Sequence, residues 1–279
     1  SMFTHLHVRS WFSFLAGGSS PHVLAQRARS LGMNALALTD VNGLYGVVGF
    51  QKACRAEGIH SIIGADVVVA GQSLVLLAKT HLGYQNLCLL LTGAHLNNRN
   101  EPSSDIDEIA KHCNDLICLT GGREGFLWQL TSQKKTLQAT AWLQTLSEIF
   151  PDDLYVELTH SLSPGDKGVI HKLAQMAQIN NLPVVASNDV RYATQEDYRR
   201  YDLLSCIRLG IPVTQPHELR PSNAEAYLKT EDDLRKLIPW DDAFGNTELI
   251  ANQCHVNLVP EHIIPPSASI PKGETSTHY

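Results

Sequence analysis

The feature that most constrains this chain of 279 residues is a repeated alternation of short apolar runs with helix-patterned stretches over its first two thirds. Runs of β-branched and aliphatic residues at 3–8, 35–39, 61–69, 74–78, 116–120, 154–159 and 183–187 read as seven strands. Helical stretches separate most of them. One opens at Ser20-Pro21 and stops at Leu31-Gly32, another crosses 51–57 and ends at Gly58, and others cover 84–95, 139–150 and 167–180. Proline fits a first helical turn because its missing N–H would be unbonded there anyway, and glycine ends a helix because it adopts positive φ freely. Strand–helix repetition implies parallel strands covered by helices. Seven strands suit either a closed barrel or an open doubly wound sheet, and pattern alone does not choose between them. From 196 the pattern changes to helices at 198–209, 231–237 and 243–254 with a loop at 210–222, and 97–107 is a polar loop. The chain thus divides into an α/β unit at 2–195, a helical extension at 196–259 and a Pro- and Ser-rich linker at 260–279. Ser1 reads as a cloning remnant ahead of a natural start at Met2.

Composition removes several function classes. Hydrophobic residues make up 43% and charged residues 18%, enough to fill a core and too apolar for disorder. The net charge of −6 disfavours an autonomous DNA binder, which needs a basic surface against phosphate, yet leaves room for a pocket that admits a nucleic-acid end. Apolar runs such as 87–91 are too short to cross a bilayer, and the N-terminus lacks a signal-peptide pattern. The six cysteines form no CxxC pair, which reads as reduced thiols of a cytoplasmic protein.

Polar residues gather at the strand ends, the edge at which parallel α/β folds bind ligands. His5 and His7 alternate along the first strand and should share one face, where two imidazoles can chelate a transition metal. Asp40 ends the second strand, Asp66 lies on the third, and Asp189 follows the seventh. An aspartate in such a place commonly caps a helix or fixes a turn. Several of them with an HxH pair favour a shared carboxylate–imidazole site, because a buried carboxylate needs a partner.

The strings HLHVRSWFSFLAGGSSP, LGMNALALTDVNGLYGVVGF, GIHSIIGADV, LLAKTHLGYQNL and LPVVASNDVRY resemble, in order and spacing, the PHP (polymerase and histidinol phosphatase) domain that opens bacterial DNA polymerase III alpha subunits. The tail segments YDLLSCIRLG, AEAYLKTEDDL and FGNTELIANQC resemble the stretch joining that domain to the polymerase palm, and FSFLAGGSSP leans toward the error-prone branch. The resemblance implies a distorted seven-stranded β/α barrel, followed here by the small helical extension. Intact members hold up to three metal ions at the strand ends and hydrolyse phosphoesters, in some polymerases as a proofreading exonuclease. Carried over residue by residue, His5, His7, Asp66 and Asp189 match one metal position, with Asp66 where glutamate is usual. Ala16, Val41, Ser73, Gly122 and Arg191 stand where ligands are expected. Arginine puts a fixed positive charge where a cation should sit, so Arg191 is expected to pair with Asp40 or another pocket carboxylate in place of a lost ion. His160, at the end of the sixth strand, and Arg123 are further pocket-lining candidates.

The resemblance therefore implies a PHP module with a degenerate centre holding at most one divalent ion, Zn²⁺ or Mn²⁺, and a mainly structural or exonuclease-docking role. Its partners would be the palm domain of a parent polymerase, a proofreading exonuclease subunit and, through the polymerase, DNA; a membrane is not among them. The alternatives are an active metal-dependent phosphoesterase or 3′–5′ exonuclease, and a free-standing small-molecule phosphatase of the same superfamily.

Overall fold

A computed structural model of the chain describes residues 3–13 and 17–260. The order of elements is α1 (Pro21–Ser30), β1 (Ala35–Val41), α2 (Val47–Glu57), β2 (His60–Val69), β3 (Gln72–Ala78), α3 (His81–Asn97), α4 (Ile106–Lys111), β4 (Leu116–Leu119), α5 (Phe126–Ser132), α6 (Thr136–Ile149), β5 (Leu154–Thr159), α7 (Asp166–Ile179), β6 (Val184–Ser187), α8 (Tyr198–Leu209), α9 (Glu231–Leu237) and α10 (Asp241–Gln253). The expected Ala16 substitution, the Met2 start and the linker beyond 260 lie outside the described residues.

The strands form one sheet in sequence order, β1 to β6. The expectation of parallel strands throughout needs correction. β1–β2, β4–β5 and β5–β6 are parallel, whereas β3 runs antiparallel to both its neighbours. The cause is the connection Ala70-Gly71, with φ of 51° and 78° between the paired residues Val69 and Gln72. Two consecutive residues at positive φ make the tight hairpin turn that reverses a strand without a helix.

Six strands are assigned among the described residues, not seven. Residues 3–9, expected to open the sheet as a strand, form an extended segment with a single parallel bridge, Val8 to Val190. The segment lies between the two sheet edges. His5 O and Val8 O accept from the N–H groups of Ala37 and Thr39 on β1, while Arg9 N–H and His7 O bond Val190 beyond β6. Residues 5 and 8 thus face 37 and 39, one residue more on the first segment than on β1. This is a bulge, which interrupts the ladder and re-aims side chains. The Thr39 hydroxyl accepts from the Val8 N–H at 3.0 Å.

Alternation along each strand divides two apolar layers. On the outer face Leu36, Leu38, Ile63, Ala65, Leu76 and Cys118 join Leu24, Ala28, Phe50 and Leu87 from α1–α3. On the inner face Ala37, Ile62, Val75, Leu77, Ile117, Leu119, Tyr155 and Val185 form a floor sealed by Ile250 and Ala251 of α10 and by Cys254 just after it. Gly64 keeps this face tight, since a Cβ there would stand 2.5 Å from the Leu76 carbonyl oxygen. Continuing the same alternation upward, Asp66 follows Ile62 and Gly64 on β2, Ser73 precedes Val75 on β3, Glu157 and Thr159 follow Tyr155 on β5, and Ser187 follows Val185 on β6. The inner face is apolar at one end and charged at the other.

Candidate functional site: a charged mouth filled by guanidinium groups

His7 stands at the centre of the charged end. Its Nδ1 lies 2.7 Å from Glu157 Oε2, and its Nε2 lies 2.8 Å from Asp66 Oδ2 and 3.4 Å from Asp189 Oδ1. Carboxylates only accept, so both ring nitrogens donate and the ring is an imidazolium. Burial opposes that charge. Glu157 and Asp189, with the hydrogen bonds to Asp66 and Glu157, outweigh it and hold His7 well above the ordinary histidine range. Ser187 Oγ donates to Glu157 Oε2 at 2.6 Å, and Ser73 Oγ donates to Asp66 Oδ1. Asp189, two residues past the end of β6, has a φ of 43°, a left-handed conformation that aspartate tolerates.

Two arginines occupy the space above. Arg9 Nη2 lies 2.7 Å from Asp66 Oδ2 and 2.9 Å from Glu124 Oε2, its Nε lies 3.8 Å from Asp189 Oδ1, and its side chain is 3% exposed. Arg191 Nη2 lies 2.8 Å from Glu124 Oε1 and 3.4 Å from Asp189 Oδ2. Glu124 therefore bridges the two guanidinium groups, one oxygen to each. Burial pushes the Asp66 and Asp189 carboxyls up, but the Arg9 charge, with His7, prevails and holds both below the ordinary range. Glu124 is lowered by Arg9 first, against burial, and then by Arg191. The mouth opens into a cleft of about 1060 Å³ lined by Arg9, Arg123, Glu124, Trp128, Asp189 and Arg191 among others.

Of the residues singled out in the sequence, the fold brings His7, Asp66 and Asp189 together and sets His5 apart. The bulge turns His5 to the backbone of Lys229, where Nε2 donates to the carbonyl at 2.8 Å, and to the Phe3 ring, edge-on at 4.7 Å. Burial pushes His5 down to about 4, despite the carbonyl bond and helped by the Lys229 charge, so its ring is neutral. Its Nδ1 is buried without a partner. Asp40 is not the partner of Arg191. Its oxygens accept from Ser10 N at 2.6 Å, Ser10 Oγ at 2.8 Å and Ser13 Oγ at 2.6 Å, which fixes the loop after the first segment. Burial raises the Asp40 carboxyl against these bonds. Arg123 lines the cleft and pairs with Asp166 at the start of α7, its guanidinium 5.8 Å from the Trp128 ring centre. His160 is not among the cleft's lining residues. It borders a smaller pocket with His171 and Trp240, and its Nδ1 accepts from Leu162 N at 3.0 Å.

Among the described residues no group of three or more His, Cys, Asp or Glu side chains could hold a metal ion. The chemistry agrees. An imidazolium has no lone pair to give, His5 faces elsewhere, and the oxygens of Asp66 and Glu124 already face guanidinium groups. As folded, the donor set does not fit an ion.

Arg9, Glu124 and Glu157 were not anticipated. Arg9 follows His7 by two residues, so the alternation that picked out HxH extends to it. Glu157 is the lone acid inside an apolar strand run, a usable signal. Glu124 sits in a loop and carries no pattern.

The PHP domain model matches residues 5–161. The chain is 34% identical over 99% of its length to DNA polymerase III subunit alpha of Treponema pallidum, covering 25% of that protein. It is 33% identical over 99% of its length to the error-prone DNA polymerase of Symbiobacterium thermophilum, covering 27% of it. Against DNA polymerase III subunit alpha of Escherichia coli K12 it is 32% identical, with 99% of the chain and 24% of that protein covered. The chain thus spans about a quarter of the length of these curated relatives. With the matched segment running from the first charged segment to the end of β5, the chain belongs to the PHP domain family.

Proposed function

We propose that this chain is the PHP module of a DNA polymerase III alpha-type subunit, that its mouth performs no phosphoester hydrolysis, and that its role is structural: it braces the polymerase palm and offers a dock for a separate proofreading exonuclease. The observation that carries the reading is the pair of guanidinium groups bridged by Glu124 above His7. Two-metal hydrolysis needs an ion at both the attacking and the leaving oxygen. In this reading the carboxylates of Asp66, Glu124 and Asp189, which could serve such ions, face arginine nitrogens instead. DNA contact and synthesis belong to the parent polymerase in this reading, in line with the net charge of −6 on the chain itself.

The test is metal content together with activity. The protein is equilibrated with excess Mn²⁺, freed of unbound ion by gel filtration, and analysed by elemental mass spectrometry, with a chromogenic phosphodiester hydrolysed in parallel. The expected result is less than one ion per chain and no hydrolysis above a chelated control. Two or more ions per chain with chelator-sensitive hydrolysis would replace this reading with an active phosphoesterase.

A further inference from the structure

We propose that the pocket between α7 and the α9–α10 connection binds a small phosphate monoester carried on an aromatic group. The site is separate from the charged mouth and stands independently of the reading given to it.

Three parts of the chain converge on this cavity of about 210 Å³. His160 follows β5 directly, Lys167 and His171 lie four residues apart on α7 and so share a face, and Lys236 comes from the last turn of α9. Every titratable residue that lines it is a lysine or a histidine, in a chain with 28 acidic residues against 22 lysines and arginines. A concave surface of one charge sign draws the opposite charge, because its low-dielectric walls focus the field. The acids next to these residues in sequence are bound elsewhere. Asp166 serves Arg123, Ser161 N and Ser161 Oγ, and Asp241 pairs with Arg235. The carboxylate facing Lys236 is Asp233 Oδ1 at 3.8 Å, an ion pair between exposed side chains that contributes little in water. His160 adds a neutral donor. Its Nδ1 accepts from the Leu162 N–H at 3.0 Å, which leaves its proton on Nε2. Burial pushes His160 down, Asp166 opposes, and the Lys229 and Arg123 charges push down again. Two ammonium groups and an imidazole N–H can only donate, which suits an oxyanion. The remaining lining is apolar, Leu237 and Trp240 included, and the His171 ring meets Trp240 edge-on at 4.9 Å. An indole beside a cluster of cations takes an aromatic ring and its charged substituent together. The cavity is below the range of about 300–1,000 Å³ usual for larger ligands, so the ligand is small.

The experiment titrates the chain by calorimetry with phenyl phosphate, inorganic phosphate and phenol at an ionic strength of about 50 mM, where screening is modest. Phenyl phosphate should bind at a single site with a dissociation constant on the order of 1 mM or below. Inorganic phosphate, which lacks the ring, should bind about three- to tenfold more weakly, and phenol should not bind. Lys167→Ala and Lys236→Ala remove exposed side chains and should leave the melting temperature in place while weakening phenyl phosphate about tenfold each. Trp240→Leu should abolish the preference for phenyl phosphate over inorganic phosphate. Lys172, which lines the mouth cleft and not this pocket, is the control, and Lys172→Ala should bind like the parent. Equal affinity for the two phosphates would mean an adventitious ion only and overturns the proposal. So does an absence of phenyl phosphate binding, or binding that survives both Lys167→Ala and Lys236→Ala. A loss caused by Lys172→Ala alone would place the anion in the cleft and overturns it as well.

Discussion

Replacing Gln51 with alanine should free the segment that leaves the fold at 255–260 while costing the rest of the molecule little. The Gln51 amide is buried and fully bonded. Its Nε2 donates to Ser61 Oγ at 3.2 Å and Val256 O at 2.6 Å, and its Oε1 accepts from Leu258 N at 2.6 Å and Val259 N at 3.1 Å. Truncation leaves one carbonyl and two N–H groups without partners, and each such buried group costs about 1–3 kcal/mol. A docked segment would thus be penalised by roughly 3 kcal/mol or more. Lifting it off instead exposes Val256, Leu258 and Val259, at about 1.5–3 kcal/mol for each side chain fully exposed. Against that, release returns about 1–2 kcal/mol of backbone entropy per residue. The balance favours lifting, so the loss appears as local opening and not as global unfolding. A penalty near 3 kcal/mol corresponds to about a hundredfold more opening. Hydrogen exchange at the Leu258 and Val259 amides, which donate to Gln51, reads this directly. They should exchange about a hundred times faster with the melting temperature nearly unchanged. If their exchange is unaltered while the whole protein melts earlier, Gln51 is a core residue and not the anchor of the segment.

Three shorter predictions bear on the sheet and its mouth. His5 titrates at about 4 in the fold and near 6.5 when unfolded, so the unfolded chain takes up the proton first and stability falls as pH drops from 6.5 toward 4, by up to about 3 kcal/mol. His7, raised in the fold, has the opposite sign: its contribution is complete below 6.5 and is lost as pH rises through its folded value. Urea midpoints should therefore peak near pH 6.5, and His5→Gln, which keeps a donor for the Lys229 carbonyl, should flatten the acid limb and leave the alkaline one. Gly64→Ala should lower stability by about 1–3 kcal/mol, seen in the urea midpoint, because the new methyl meets a ladder carbonyl that cannot retreat. Asp66→Asn should cost about 3–5 kcal/mol, since it strips one charge from a shell that holds Arg9 and His7, and a melting point within 2 °C of the parent would contradict the cluster as described.

Much of the architecture was legible because the local signals were physical ones. Pro21 at the first helical position and the left-handed Gly58 mark helix ends that the structure keeps. The helices at 198–209 and 231–237 lie within a residue of α8 and α9. Two errors came from reading each run of apolar residues by itself. Ala70-Gly71 is a hairpin signal between two apolar runs, and the general strand–helix rhythm of the sequence masks it. The short α4 and α5 went unseen, since six or seven residues are too few to show a helical period. At the mouth, alternation predicts one face for His5 and His7, and the fold sets His7 beside Asp66 and turns His5 away. Period-two logic fails at a bulge, and nothing in HLHVR marks the extra residue. Glu124 and Arg191 meet across 67 positions of sequence, a pairing that only the closed fold creates.

Several polar residues at the charged end have work within the fold that needs no ion. Asp40 accepts three hydrogen bonds from Ser10 and Ser13 and so sets the loop that follows Arg9. Ser73 donates to the Asp66 oxygen that Arg9 and His7 leave free. His5 ties the first segment to the Lys229 backbone, and Asn188 ties the turn after β6 to the carbonyls of Glu225 and Tyr227. The consequence is a division of labour along the inner face. Its apolar floor, sealed by α10, is separate from the charged end, where Arg9, Arg191 and His7 of the same chain face four carboxylates. In the proposed reading, a centre held by cations of its own chain would keep its shape whatever the local supply of metal. That independence is what the proposed role of brace or dock would require.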